Sequence, residues 1–140
     1  MSRPPKDRFS GSAQQWIAYA EHGLALARLV EGHPEIQTEL YCYHAQQAAE
    51  KAIKAVLLFT KAEFPFTHDL DLLLGLVQDA EVEVPVPLAM VGRLTPYATQ
   101  TRYPGEWEDV SEEELAEALA LAEQAVTWAR SLTRPGSHGT

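Results

Sequence analysis

The sequence contains a single cysteine, Cys42, no asparagine and only two methionines. One cysteine excludes an intramolecular disulfide and a cysteine-rich zinc site, and it fits a reducing compartment. Depletion of Asn, Cys and Met is a pattern of heat-tolerant proteins; a biased genomic base composition produces the same pattern. Basic residues are also scarce. Eleven Lys+Arg face 20 Asp+Glu, a formal net charge of −9. That balance argues against a general coat for duplex DNA, whose affinity comes from neutralising phosphates. It leaves room for a small basic site, because net charge is not a map. Long apolar runs are missing too. No run exceeds the length of Ala55 to Phe59, which falls far short of a membrane span. Residues 1–10 are polar, include Pro4 and Pro5 and contain no apolar h-region, so they do not read as a signal peptide. The expectation is a soluble cytoplasmic domain.

What is present reads as helix throughout. The 140 residues suit one domain, with 1–11 and 134–140 as flexible tails and 12–133 as the folded unit. Ser12 and Gln15 fit a capping box, and Trp16, Ile17, Ala20, Leu24 and Ala27 then recur at helical spacing to about Glu31. Gly32 and Pro34 stop that helix. A second helix is expected over about 36–61. Ala45, Ala48, Ala49, Ala52, Val56 and Phe59 form its apolar side, and Tyr43, Gln47, Glu50, Lys51, Lys54 and Lys61 its polar side. Its small residues suit a central position in a bundle.

Thr67 reads as the N-cap of a third helix whose buried stripe is Leu70, Leu73, Leu74 and Val77. Pro85 and Pro87 make the alternating segment 81–86 an extended connection and not a ladder strand. A short fourth helix is expected from Pro87, with Leu88, Val91 and Leu94 on its apolar side and a kink or restart at Pro96. Ser111 and Glu114 form the strongest helix start, with Val110 and Leu115 as a staple. Leu115, Ala118, Leu119, Ala122, Ala125, Val126 and Ala129 give the last helix its core face. The fold class is therefore all-α, an antiparallel four- or five-helix up-and-down bundle.

Few residues carry chemistry. Gln47, Lys51 and Lys54 share one face of the second helix, either as a solvated surface or as an anion site with two ammonium groups and an amide. Thr67, His68 and Asp69 stand at a helix start, where capping competes with phosphate binding. Arg102 and Tyr103 lie in a loop and suit either a phosphate clamp with a stacking ring or an ion pair to Glu106 or Glu108. No two histidines stand three or four residues apart, and there is no P-loop, GxGxxG or GxSxG. No metal and no cofactor is expected. Cys42 reads as a small core residue.

Three runs taken together resemble a known family: Tyr41-Cys-Tyr-His-Ala-Gln-Gln-Ala-Ala-Glu-Lys-Ala-Ile-Lys-Ala-Val-Leu-Leu, then Thr67-His-Asp-Leu-Asp-Leu-Leu-Leu, then Arg102-Tyr-Pro. They resemble the HEPN domain family of prokaryotes over roughly residues 10–133. The resemblance implies a helical bundle, usually dimeric, often encoded beside a small nucleotidyltransferase as a toxin–antitoxin pair. It implies nucleotide binding, or metal-independent ribonuclease activity in members that carry Arg, four to six residues, then His. Here Trp107, Glu108 and Asp109 occupy the positions after Arg102, and the one formal match, Arg28 to His33, falls at the end of the first helix.

The expected function is thus a homodimeric HEPN-like module without a catalytic centre. It would bind a nucleotide or RNA, or regulate a small nucleotidyltransferase. Lys51, Lys54 and Arg102 would meet phosphate, Tyr103 would stack, and Gln47, His68 and Asp69 would complete the site. The alternatives are a ribonuclease toxin using Arg102 and His68, and a pure assembly scaffold.

Overall fold

A computed structural model describes residues 11–30, 38–98 and 111–134. It contains four α-helices: α1 (Ala13–Val30), α2 (Thr38–Phe59), α3 (Leu70–Asp79) and α4 (Glu112–Thr133). A 3-10 helical segment, Val86–Ala98, lies between α3 and α4. No strand occurs among the described residues. The bundle is all-α, as the periodicity indicates.

α2 is the axis of the bundle, touching α1, α3, α4 and the 3-10 segment. Ala45, Ala48, Ala49, Ala52 and Ala55 are all fully buried along it, and their size allows this close approach from several sides. At Gly23 of α1, a Cβ would stand only 3.5 Å from the Ala48 Cβ. Because α2 is enclosed, its polar side is not the solvated face that a helical wheel suggests. Gln46, Glu50 and Lys54 are buried with the alanines.

α1 and α4 run antiparallel. Gln14 donates to the Thr133 carbonyl, Glu21 pairs with Arg130 at 2.8 Å, and Arg28 pairs with Glu123. Numbers rise along one helix as they fall along the other. Exposed pairs of this kind contribute about 0–1 kcal/mol each, so they register the helices more than they stabilise them.

The helix starts follow the sequence at two of three places. Ser12 and Gln15 exchange backbone and side-chain bonds at 2.7 and 3.1 Å ahead of α1, and Ser111 with Glu114 forms the capping box of α4. Val110 lies outside the described residues, as do Gly32 and Pro34. At α3 the cap is Asp69 and not Thr67. The Leu72 amide donates to Asp69 Oδ1 at 3.2 Å, while Thr67 Oγ1 accepts the amide of Asp69 itself at 3.1 Å. The helix begins at Leu70, so Thr67 stands too early to reach its second or third amide.

The fourth helical element also departs from expectation. It is 3-10 and passes through Pro96 without a break. Its buried residues, Leu88, Val91 and Leu94, recur every three residues, which aligns them on one face at three residues per turn. Thr95 Oγ1 accepts the Leu70 amide at 3.1 Å, so this segment also covers the start of α3.

Both C-terminal caps of α2 and α3 are Schellman motifs without glycine. Ala62 N donates to Leu57 O at 2.9 Å and Lys61 N to Leu58 O at 3.0 Å; Val82 N donates to Val77 O at 3.2 Å and Glu81 N to Gln78 O at 2.9 Å. The left-handed positions are held by Lys61 (φ 63°) and Glu81 (φ 64°).

Candidate anion-binding site

Glu50 organises the polar cluster of α2. The residue is only 5% exposed, so an unpaired carboxylate there would be strongly destabilising. Three groups answer it: Lys54 Nζ donates to Oε2 at 2.8 Å, Gln46 Nε2 donates to Oε1 at 3.0 Å, and His68 Nδ1 lies 2.7 Å from Oε1. Gln46 and Lys54 come from the turns before and after Glu50 on α2. His68 comes from the connection between α2 and α3, which folds back over the helix.

Burial by itself raises the Glu50 carboxyl. The hydrogen bonds from Lys54 and Gln46, the Lys54 charge and the His68 bond outweigh it, and the group ends below the ordinary carboxylate value. Lys54 also stands 5.7 Å from the centre of the Phe66 ring, within cation–π range. Phe66 in turn meets the His68 ring edge-on at 5.9 Å.

The network continues outward along α2. Gln47 Nε2 donates to Gln46 Oε1 at 2.7 Å, and Lys51 Nζ donates to Gln47 Oε1 at 2.9 Å. Lys51 is half-buried and forms no ion pair among the described residues. Burial lowers its ammonium below the ordinary lysine range and the charge of Lys54 adds to this, with Glu50 opposing. His44 stands one further turn back on the same face. Burial and the charge of Lys51 lower its imidazole too.

The expected site residues therefore separate into groups. His68 contacts the buried carboxylate of Glu50, and Gln47 and Lys51 are linked to it through Gln46. Lys54 joins them, but as the buried partner of Glu50 and not as a surface cation. Asp69 lies beside His68 with an oxygen committed to the α3 cap. Arg102 and Tyr103 lie outside the described residues, as do Trp107, Glu108 and Asp109. Gln46 and Glu50 were not among the expected ligand residues. The signal for them was the four-residue spacing Gln46–Glu50–Lys54, which acquires its meaning only once the helix is known to be buried.

Cys42 is fully buried, as expected for a core residue. It lies against Tyr97, whose hydroxyl also donates to Glu114 at 3.3 Å. Burial, with Cys42 and Glu114 adding, pushes the Tyr97 phenol up to about 12. Among the described residues no three His, Cys, Asp or Glu side chains are grouped to hold a metal, and no helix is long and apolar enough to cross a membrane.

A sequence model of the HEPN domain matches residues 13–132, from the first turn of α1 to the last of α4. The chain belongs to the HEPN domain family. Its fold is similar to that of ST0689, described as an archaeal HEPN homologue, with a TM-score of 0.70 and 25% identity over 89% of this chain and 100% of that one. It is also similar to TT1696 from Thermus thermophilus, with a TM-score of 0.67 and 29% identity over 85% of this chain and 96% of that one. No curated protein matches. The Glu50 cluster, built on α2 and the start of α3, lies inside the HEPN match.

Proposed function

We propose that this HEPN domain is a homodimeric accessory module that binds a nucleotide or short RNA beside Lys51 and works with a small nucleotidyltransferase, as in toxin–antitoxin pairs. The observation that carries the binding claim is the contrast between two lysines one turn apart. Lys54 is neutralised by Glu50 at 2.8 Å, whereas Lys51 is half-buried, donates to an amide oxygen and forms no ion pair among the described residues. A partly desolvated ammonium outside any direct ion pair is stabilised by an incoming anion. Gln47 adds a neutral hydrogen-bonding group beside it. Calorimetric titration with ATP and with a short single-stranded RNA should show saturable binding. Lys51→Ala should abolish it, while the exposed control Lys61→Ala should not. Absence of binding by the unaltered chain, or full binding by Lys51→Ala, overturns the reading.

A second reading has its own observation. A carboxylate on Nδ1 of His68 fixes the orientation of the ring and leaves Nε2 for a substrate, an arrangement that serves proton transfer. This supports a ribonuclease using His68. It requires RNA cleavage without added metal by the purified chain, lost in His68→Ala; intact RNA after prolonged incubation removes it.

A further inference from the structure

The outer side of α4 carries a feature that the anion site does not use. A groove of about 540 Å³ runs between the start of the 3-10 segment (Pro85, Pro87, Leu88) and α4 (Ala120, Gln124, Thr127, Trp128). Its walls are mostly apolar, with Trp128 half-buried along one side, and Ala120, Gln124 and Thr127 leave the α4 side open. Val86, between the lining residues Pro85 and Pro87, is 85% exposed.

The surroundings of this groove are acidic. Glu123 is part of its lining. Exposed Glu113 and Glu117 precede Ala120 by seven and three residues, on the same stripe of α4. Glu81 and Glu83 are exposed on the connection that leads into Pro85. Two cations on α1 and the 3-10 segment are already engaged with acids of α4: Arg28 with Glu123, and Arg93 with Glu117 at 2.8 Å. Glu81, Glu83 and Glu113 have no ion pair among the described residues.

We infer that this groove is the docking site for a basic amphipathic helix of a partner protein. The apolar floor takes the partner's Leu/Ile-type stripe, and its flanking Lys or Arg side chains meet Glu81, Glu83 and Glu113. A second copy of this chain is a poor occupant. It carries a net charge of −9 and would set the same acids against their counterparts, which is destabilising. A neutral helix would leave the acids unanswered. The inference rests on the accessory-module reading for the existence of a protein partner, and it supplies the chemistry of that partner's docking element. It is independent of the Lys51 site, and the two fail on different variants.

The test is titration of the full chain with an 18-residue helical peptide carrying Leu at i, i+3, i+4 and i+7 and Lys elsewhere. Two controls share its length: a scrambled isomer of equal charge without the apolar stripe, and an analogue with Glu in place of Lys. Binding at least tenfold tighter than either control is expected, weakening with added salt. Gln124→Arg and Ala120→Arg, both at exposed positions that leave the core intact, should each weaken it a further tenfold or more. Equal binding by the scrambled isomer means attraction to acids alone and overturns the inference, as does unchanged binding by Gln124→Arg. Binding that emerges only after removal of residues 1–10 or 135–140 assigns the groove to the chain's own ends. A dimer that Gln124→Arg dissociates assigns it to a second copy. Either outcome overturns the inference.

Discussion

Nδ1 of His68 stands 2.7 Å from Oε1 of Glu50, joining the connection after α2 to the middle of α2 across 18 residues of chain. The same carboxylate holds the buried ammonium of Lys54. Two segments therefore depend on one charged group.

Glu50→Gln keeps the shape and removes the charge. Lys54, 3% exposed, is then left as a buried cation without its counter-ion. Breaking a buried pair from one side costs about 3–5 kcal/mol. Urea denaturation should show a loss of that order, against less than about 1 kcal/mol for removal of the exposed Arg93–Glu117 pair by Glu117→Gln.

The lowered Glu50 carboxyl sets an acid limit. Its folded value lies below the unfolded value of 4.5. Its stabilisation is therefore complete above about pH 4.5 and is lost as pH falls through the lower folded value. Denaturation midpoints measured from pH 6 downward should decline in this window, and the decline should be shallower in Glu50→Gln. Equal slopes would show that other carboxylates dominate acid unfolding.

An anion held by Lys51 should come off in alkali. The lysine is lowered below its ordinary 10.5, so it discharges earlier than a surface lysine as pH rises. Nucleotide affinity should fall as pH rises through that lowered value. Lys51→Arg, whose charge persists above about pH 12, should keep affinity where the unaltered chain has lost it.

The two glycine-free Schellman caps predict an easy gain. A side chain in the left-handed region costs roughly 1 kcal/mol, and Lys61 and Glu81 both bear it. Lys61→Gly and Glu81→Gly should each raise stability by about 0.5–1 kcal/mol, seen as higher thermal midpoints. A fall at either position would mean that its side chain contributes more than the backbone loses.

Gly75 and Gly92 predict opposite outcomes for one substitution. A Cβ on Gly75, inside α3, meets nothing within 4 Å, so Gly75→Ala should stabilise by up to about 1 kcal/mol through helix propensity. A Cβ on Gly92 would fall on the Asp71 carboxylate. Gly92→Ala must move that short side chain and should destabilise.

Helix content and most of the core were legible in the sequence because apolar periodicity and capping pairs are local. Leu70, Leu73, Leu74 and Val77 are all buried, and so is the expected face of α4. The 3-10 geometry was legible in principle, since Leu88, Val91 and Leu94 repeat at three and not at three and four. The candidate site was only half legible. Gln47, Lys51 and His68 announce themselves as polar residues near helix ends and faces. A helical wheel puts Glu50 on the polar side of the helix and treats that side as wet. The connection folding over α2, with Phe66 and His68 in it, helps to turn that side into an interior.

The alanines of α2 bear on how the chain assembles during synthesis. α1 and α2 are complete long before residues 112–133 have been made, yet α4 covers α2 in the finished bundle. The nascent chain must therefore expose that flank while it waits. Had the flank been built of leucine, each waiting side chain would offer a broad sticky surface of the kind that seeds aggregation. Alanine side chains, five of them buried along α2, offer little. The small residues that let helices pack tightly at the end of folding also keep the unfinished intermediate from clinging to its neighbours at the beginning.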